Sequence, residues 1–87
     1  MTSYEIEFTK SAQKELSKLP SKTRLRIAKA IYQLRENPRT GNTRSMVGIP
    51  SWRLRVGDYR VVYDITDQKL TILVVRVRHR RDIYKQL

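Results

Sequence analysis

The chain has no cysteine, one histidine and only eight carboxylates among 87 residues. Without thiols it forms neither disulfides nor thiolate metal sites, a composition that suits a reducing cytoplasm. One imidazole and so few acids leave little from which to build a metal cluster. Long apolar runs are missing as well. The longest, Leu70 to Val75, is interrupted by Thr71 and is far too short to span a bilayer. The first apolar stretch carries Glu5 and Glu7, unlike a secretory signal. There is no internal repeat, low-complexity tract or linker, and residues 1–87 read as one small domain.

What the chain does have is positive charge. Nineteen Lys and Arg against eight acids give a net charge of +11 and a pI near 10.6. That balance implies an acidic partner, most often nucleic acid; the alternatives are a solvated basic surface or an acidic protein partner.

Apolar periodicity divides the chain into elements. Tyr4, Ile6 and Phe8 alternate with Glu5 and Glu7, the pattern of a half-buried first strand. Thr9 is placed to cap a helix whose apolar stripe is Ala12, Leu16 and Leu19, ended by Pro20. Ser21 is placed to cap a second helix of about 15 residues that stops at Asn37-Pro38. Its expected buried face is Ile27, Ala28, Ile31 and Leu34. Residues 37 to 51, with Pro38, Gly41, Gly48 and Pro50, read as an irregular segment. Three strands are expected next, at about 52–56, 59–66 and 69–77, as an antiparallel meander. The predicted fold is α+β: a small antiparallel sheet in the order β-α-α-β-β-β, a short C-terminal turn or helix, and two N-terminal helices packed on one face.

The first hairpin can be read residue by residue. Trp52, Leu54 and Val56 point one way along their strand, and Arg53 and Arg55 point the other. Gly57-Asp58 is a two-residue turn with glycine at its first central position. Val56 should therefore face Tyr59, Trp52 should face Tyr63, and Arg55 should lie directly opposite Arg60. Like charges facing each other across a ladder destabilise a sheet. Two guanidiniums there, with a third two residues away, point to a bound polyanion. The basic run Arg78-His79-Arg80-Arg81 lies just before Tyr84.

The block Trp52-Arg-Leu-Arg-Val-Gly-Asp-Tyr-Arg-Val-Val-Tyr63, followed by Val77-Arg-His-Arg-Arg-Asp-Ile-Tyr84, resembles the RelE family of toxins, within the RelE/ParE superfamily of bacterial and archaeal toxin–antitoxin systems. The similarity covers nearly the whole chain, including Leu19-Pro20 and Asn37-Pro38. The resemblance implies a cytoplasmic, ribosome-dependent endoribonuclease that needs no metal or other cofactor. Such an enzyme cleaves mRNA in the ribosomal A site by attack of a ribose 2′-hydroxyl on the adjacent phosphate. The resemblance also implies an acidic, RelB-like antitoxin, contacts with ribosomal RNA, and operator DNA bound only through the toxin–antitoxin complex. No membrane is implied.

Position by position, Arg60 matches the family arginine that stabilises charge on the scissile phosphate. Arg80 matches the arginine that supports the transition state or leaving group. Tyr84 matches the tyrosine that stacks on or orients the nucleotide. Arg53 and Arg55 stand where well-studied members have lysines. A crowded lysine can lose its proton and act as a base, whereas arginine stays charged, so these two are phosphate binders. Arg78 and Arg81 are further RNA contacts, and either Arg80 or its neighbour Arg81 faces the site. His79 is the one side chain that ordinarily titrates near neutrality. It is a candidate general acid or base, or else a surface histidine in a basic run. A non-enzymatic gyrase inhibitor of ParE type is the competing reading on the same fold, and an inactive nucleic-acid-binding module is a third.

Overall fold

The computed structural model describes residues 3–39, 41–46 and 48–82. In chain order it has β1 (Glu5–Phe8), α1 (Lys10–Ser17), α2 (Ser21–Gln33), β2 (Thr43–Ser45), β3 (Trp52–Val56), β4 (Tyr59–Thr66) and β5 (Thr71–His79). A one-turn 3₁₀ helix, Asp67–Lys69, joins β4 to β5. Among the described residues no helix is long and apolar enough to cross a membrane.

The fold is α+β, and its five-stranded sheet runs β1-β5-β4-β3-β2. The β3–β4–β5 meander is antiparallel as expected. The sheet as a whole is mixed, because β1 joins β5 in parallel, with Ile6 opposite Ile72 and Phe8 opposite Val74. The segment read as irregular contains a further edge strand, β2, which places Arg44 opposite Arg53.

Both helices lie on one face of the sheet. Ala12, Ile27, Ile31 and Leu34 are buried against Leu54, Val56, Val61, Tyr63, Ile72, Val74 and Val77. Full burial of each aliphatic side chain contributes roughly 1.5–3 kcal/mol. Thr9 caps α1 as predicted: its Oγ1 accepts from the Ala12 amide at 3.1 Å. The cap of α2 differs from expectation. Pro20 stands at the cap position with no side-chain cap bond, and Ser21 is already helical. The helix is also shorter than expected, 13 residues, and Ala28 is exposed, whereas Ala30 packs against the core.

Two backbone features set what each strand displays. Gly57 has φ of 58°, the positive value needed at the first central position of a II′ turn. The resulting register is Val56–Tyr59, Arg55–Arg60 and Trp52–Tyr63, as predicted. The second feature is a bulge where Val62 pairs with Arg76 but Tyr63 pairs with Val74. Val75 is the additional residue, so Val74 and Val77 both enter the core at a spacing of three. Arg76 and Arg78 consequently turn to the face opposite the helices. Thr9 grips this irregularity: its amide donates to Val74 O at 3.0 Å and its hydroxyl donates to Val75 O at 3.1 Å.

Candidate nucleic-acid interface

The helix-free face of the sheet carries a grid of arginines. One row crosses three strands as Arg55–Arg60–Arg78, and the next runs Arg44–Arg53–Val62–Arg76. Val62 is only 4% exposed yet lies outside the core cluster. Long guanidinium side chains bury their aliphatic stems while keeping their charge in solvent, and the neighbouring arginines supply that cover here.

Gly41, Asn42, Arg44, Arg53, Arg55 and Arg60 line a cleft of about 310 Å³ on this face. None of the six is acidic. Arg60 is held by the hairpin itself, since its Nη1 donates to Gly57 O at 3.0 Å and to Tyr59 O at 2.9 Å. Those two bonds fix the guanidinium beside the turn, with its remaining N–H groups available to an anion. Asn42 closes the wall, its carbonyl accepting from the Arg55 amide at 3.0 Å.

Arg78 is anchored from α1. Glu15 Oε2 accepts from Arg78 Nε at 2.6 Å and lies 3.7 Å from Arg76 Nη1. Its other oxygen accepts from the Val77 amide at 2.9 Å, satisfying the β5 edge beyond the end of β1. One carboxylate thus offsets the repulsion between two neighbouring arginines and orients both.

Arg80 comes to the same turn as Arg60. Its amide donates to Asp58 O at 2.7 Å, and its Nε is 3.9 Å from Asp58 Oδ1. Arg81 is exposed, and its amide donates to His79 Nδ1 at 3.3 Å. His79 does not join the grid. It pairs with Tyr59 and meets that ring edge-on at 5.5 Å, on the helix side of the sheet, away from Arg60. Tyr84 lies outside the described residues.

The loop that carries Gly41 and Asn42 is tied down at its other end. Arg39 makes a two-point ion pair with Asp67, at 3.2 and 2.7 Å, and its guanidinium carbon sits 5.7 Å from the centre of the Trp52 ring. Tyr4 donates to the same carboxylate at 2.7 Å. The Arg39 and Tyr4 bonds hold the Asp67 pKa below its ordinary value. Tyr63 donates to Pro38 O at 2.5 Å, and burial pushes its pKa up to about 12.

Comparison with known proteins bears on this arrangement. The family described as ParE toxin of type II toxin-antitoxin system, parDE, matches residues 6–84. Toxin RelG of Mycobacterium tuberculosis is 35% identical over 91 residues, covering 95% of this chain and 98% of its own. The mRNA interferase toxin RelE of Escherichia coli is 32% identical over 87 residues, covering 95% and 92%. Among solved structures, the toxin–antitoxin complex RelBE2 of M. tuberculosis superposes with a TM-score of 0.81 at 28% identity, covering 88% of this chain and 98% of that one. The chain belongs to the RelE/ParE superfamily of type II toxins.

Three features of this toxin's interface escaped the sequence reading. Arg44 and Asn42 sit in the segment read as irregular, where Thr43-Arg44-Ser45 is too short to show alternation. Glu15 lies 62 residues from the amide that it satisfies. Its one local signal is that it is the lone acid of α1, among Lys10, Lys14 and Lys18.

Proposed function

We propose that this toxin is a ribosome-dependent mRNA endoribonuclease, acting in the cytoplasm on codons in the ribosomal A site. The observation that carries the reading is the cleft lined by Arg44, Arg53, Arg55 and Arg60, with no acid among its described lining residues. A scissile phosphate bridging Arg55 and Arg60 has its charge met by donors already oriented before reaction. Such donors strengthen as the phosphorane gains charge. In the proposed step O2′ attacks phosphorus and the 5′-oxygen departs, giving a 2′,3′-cyclic phosphate and a 5′-hydroxyl. Water takes the 2′-hydroxyl proton and returns one to the leaving oxygen.

Arg60 is assigned to the non-bridging oxygens, Arg80 to the leaving group, and Tyr84 to stacking on the nucleotide. Arg53, Arg55, Arg78 and Arg81 bind flanking phosphates. Arginine remains protonated, and His79 packs on Tyr59 at the helix side. The rate therefore rests on guanidinium electrostatics and on in-line geometry imposed by the ribosome. An acidic RelB-like antitoxin silences the toxin by covering the arginine face, and operator DNA is bound through that complex.

The test is cleavage mapping of mRNA on translating ribosomes, with end-group analysis of the products. Arg60→Ala should lower the rate by about 10²–10³ without lowering the urea midpoint. Cleavage at the wild-type rate by Arg60→Ala refutes the assignment. Inhibited DNA supercoiling with no RNA product favours the gyrase reading, which the ParE description of the matched family keeps open to test.

A further inference from the structure

A second and larger cavity adjoins the arginine cleft. It measures about 430 Å³ and lies between α2 and β3 on the helix side, with Gly41, Asn42 and Arg55 lining both spaces. Its floor is apolar, made by Ala30, Leu34, Leu54 and Val56, and its rim carries Arg26 and Lys29. Gln33 and Asn37 add two amides on the α2 side. The far end meets the hairpin turn: a Cβ placed on Gly57 would be 3.0 Å from Arg26 Nη1. An apolar floor, cations at the rim and amides at the wall match the three parts of a nucleotide. The base face takes the floor, the phosphate takes the cations, and the base edge is read by amide donors and acceptors.

We infer that this groove is a nucleotide subsite, which holds the RNA residue next to the scissile phosphate and contributes base preference through Gln33 and Asn37. The inference rests on the ribonuclease reading above and adds a specificity element to it. Two observations favour RNA over an acidic helix. The groove shares Gly41, Asn42 and Arg55 with the arginine cleft on the other face of the sheet, so one strand passing over the sheet margin at Asn42 can reach both. Its volume is also small. A helix about 10 Å across rises 5.4 Å per turn, so the groove seats only about one turn. A single nucleotide fits that space.

The experiment measures two things on the full chain and on Lys29→Ala/Gln33→Ala, whose side chains are exposed on α2. The first is affinity for short RNAs carrying 2′-deoxyribose at the scissile position, with each base in turn at the flanking positions. The second is the base profile of cleavage on ribosomes. Lys22→Ala, an exposed α2 cation outside the groove, is the charge control. The groove variant should lose about tenfold in affinity for its preferred RNA and level the preference at one flanking position, while Lys22→Ala keeps both. Unchanged affinity and an unchanged profile overturn the subsite. So does unchanged RNA binding with weakened antitoxin binding, which assigns the groove to an acidic peptide. If the wild-type chain cuts no ribosome-bound mRNA, the ribonuclease reading fails on its own terms. Base-selective binding lost in the groove variant would still support the subsite.

Discussion

Val61 and Val62 are neighbours on β4, almost equally buried at 0% and 4% exposure, and they face opposite environments. Val61 sits among the side chains of the helix-packed core. Val62 lies between Arg53 and Arg76, two long side chains that are themselves only partly buried. Close packing on the first side leaves a substitution nowhere to relax, whereas the second side can shift to fill a gap. The helix face is thus organised for stability. The arginine face sets like charges opposite one another at Arg44–Arg53 and Arg55–Arg60, a repulsion that the proposed RNA substrate would relieve.

The comparison is tested first by truncating the two valines. Val61→Ala removes about two methylene equivalents from the core and leaves a cavity, a loss of about 3 kcal/mol in urea unfolding. Val62→Ala should lose about half as much, because the arginine stems close over the gap. Equal losses would mean that both faces pack alike. Tyr63→Phe deletes the bond to Pro38 O, at a cost of about 1 kcal/mol near neutrality. It also changes the alkaline arm. The Tyr63 pKa is raised from 10.0 to about 12, so its contribution is complete below pH 10 and is lost as pH rises through 12. The phenylalanine variant should show a flatter fall over that window. The smallest effect expected is from Asp67→Asn. The Asp67 pKa is lowered, chiefly by Arg39, so its contribution is present above the ordinary carboxylate pKa and is lost as pH falls below about 4. A slightly lower melting temperature at pH 7, and a gentler acid limb, should mark the variant.

The hairpin was fully legible in the sequence because strict alternation in Trp52–Val56 and the Gly57-Asp58 turn jointly specify one register. The arginines at 53, 55 and 60 followed from it. Less local information left gaps. Nothing near Glu5 says that β1 will lie parallel to a strand 66 residues away, and the three residues of β2 carry no pattern. The β4–β5 turn was obscure because Leu70, not glycine, takes the left-handed position at φ 49°. His79 was the most consequential case. Whether it or Arg78 shares the sheet face of Arg60 depends on a bulge that the all-apolar run Leu73-Val74-Val75 does not announce.

That bulge gives β5 a parity. With one residue more than its partner, the strand sends Val77 inward and Arg76 and Arg78 outward; were the same residues paired without the bulge, every side chain beyond Val74 would exchange sides. Two guanidiniums would then be driven into the core, and a valine would stand where RNA is proposed to bind. Deleting Val75 would leave Val74, Arg76, Val77 and Arg78 in plain alternation with the same partners, so the arginine face survives the loss of the bulge residue. A second deletion in this stretch, or an insertion that forms no further bulge, would instead invert the strand beyond it.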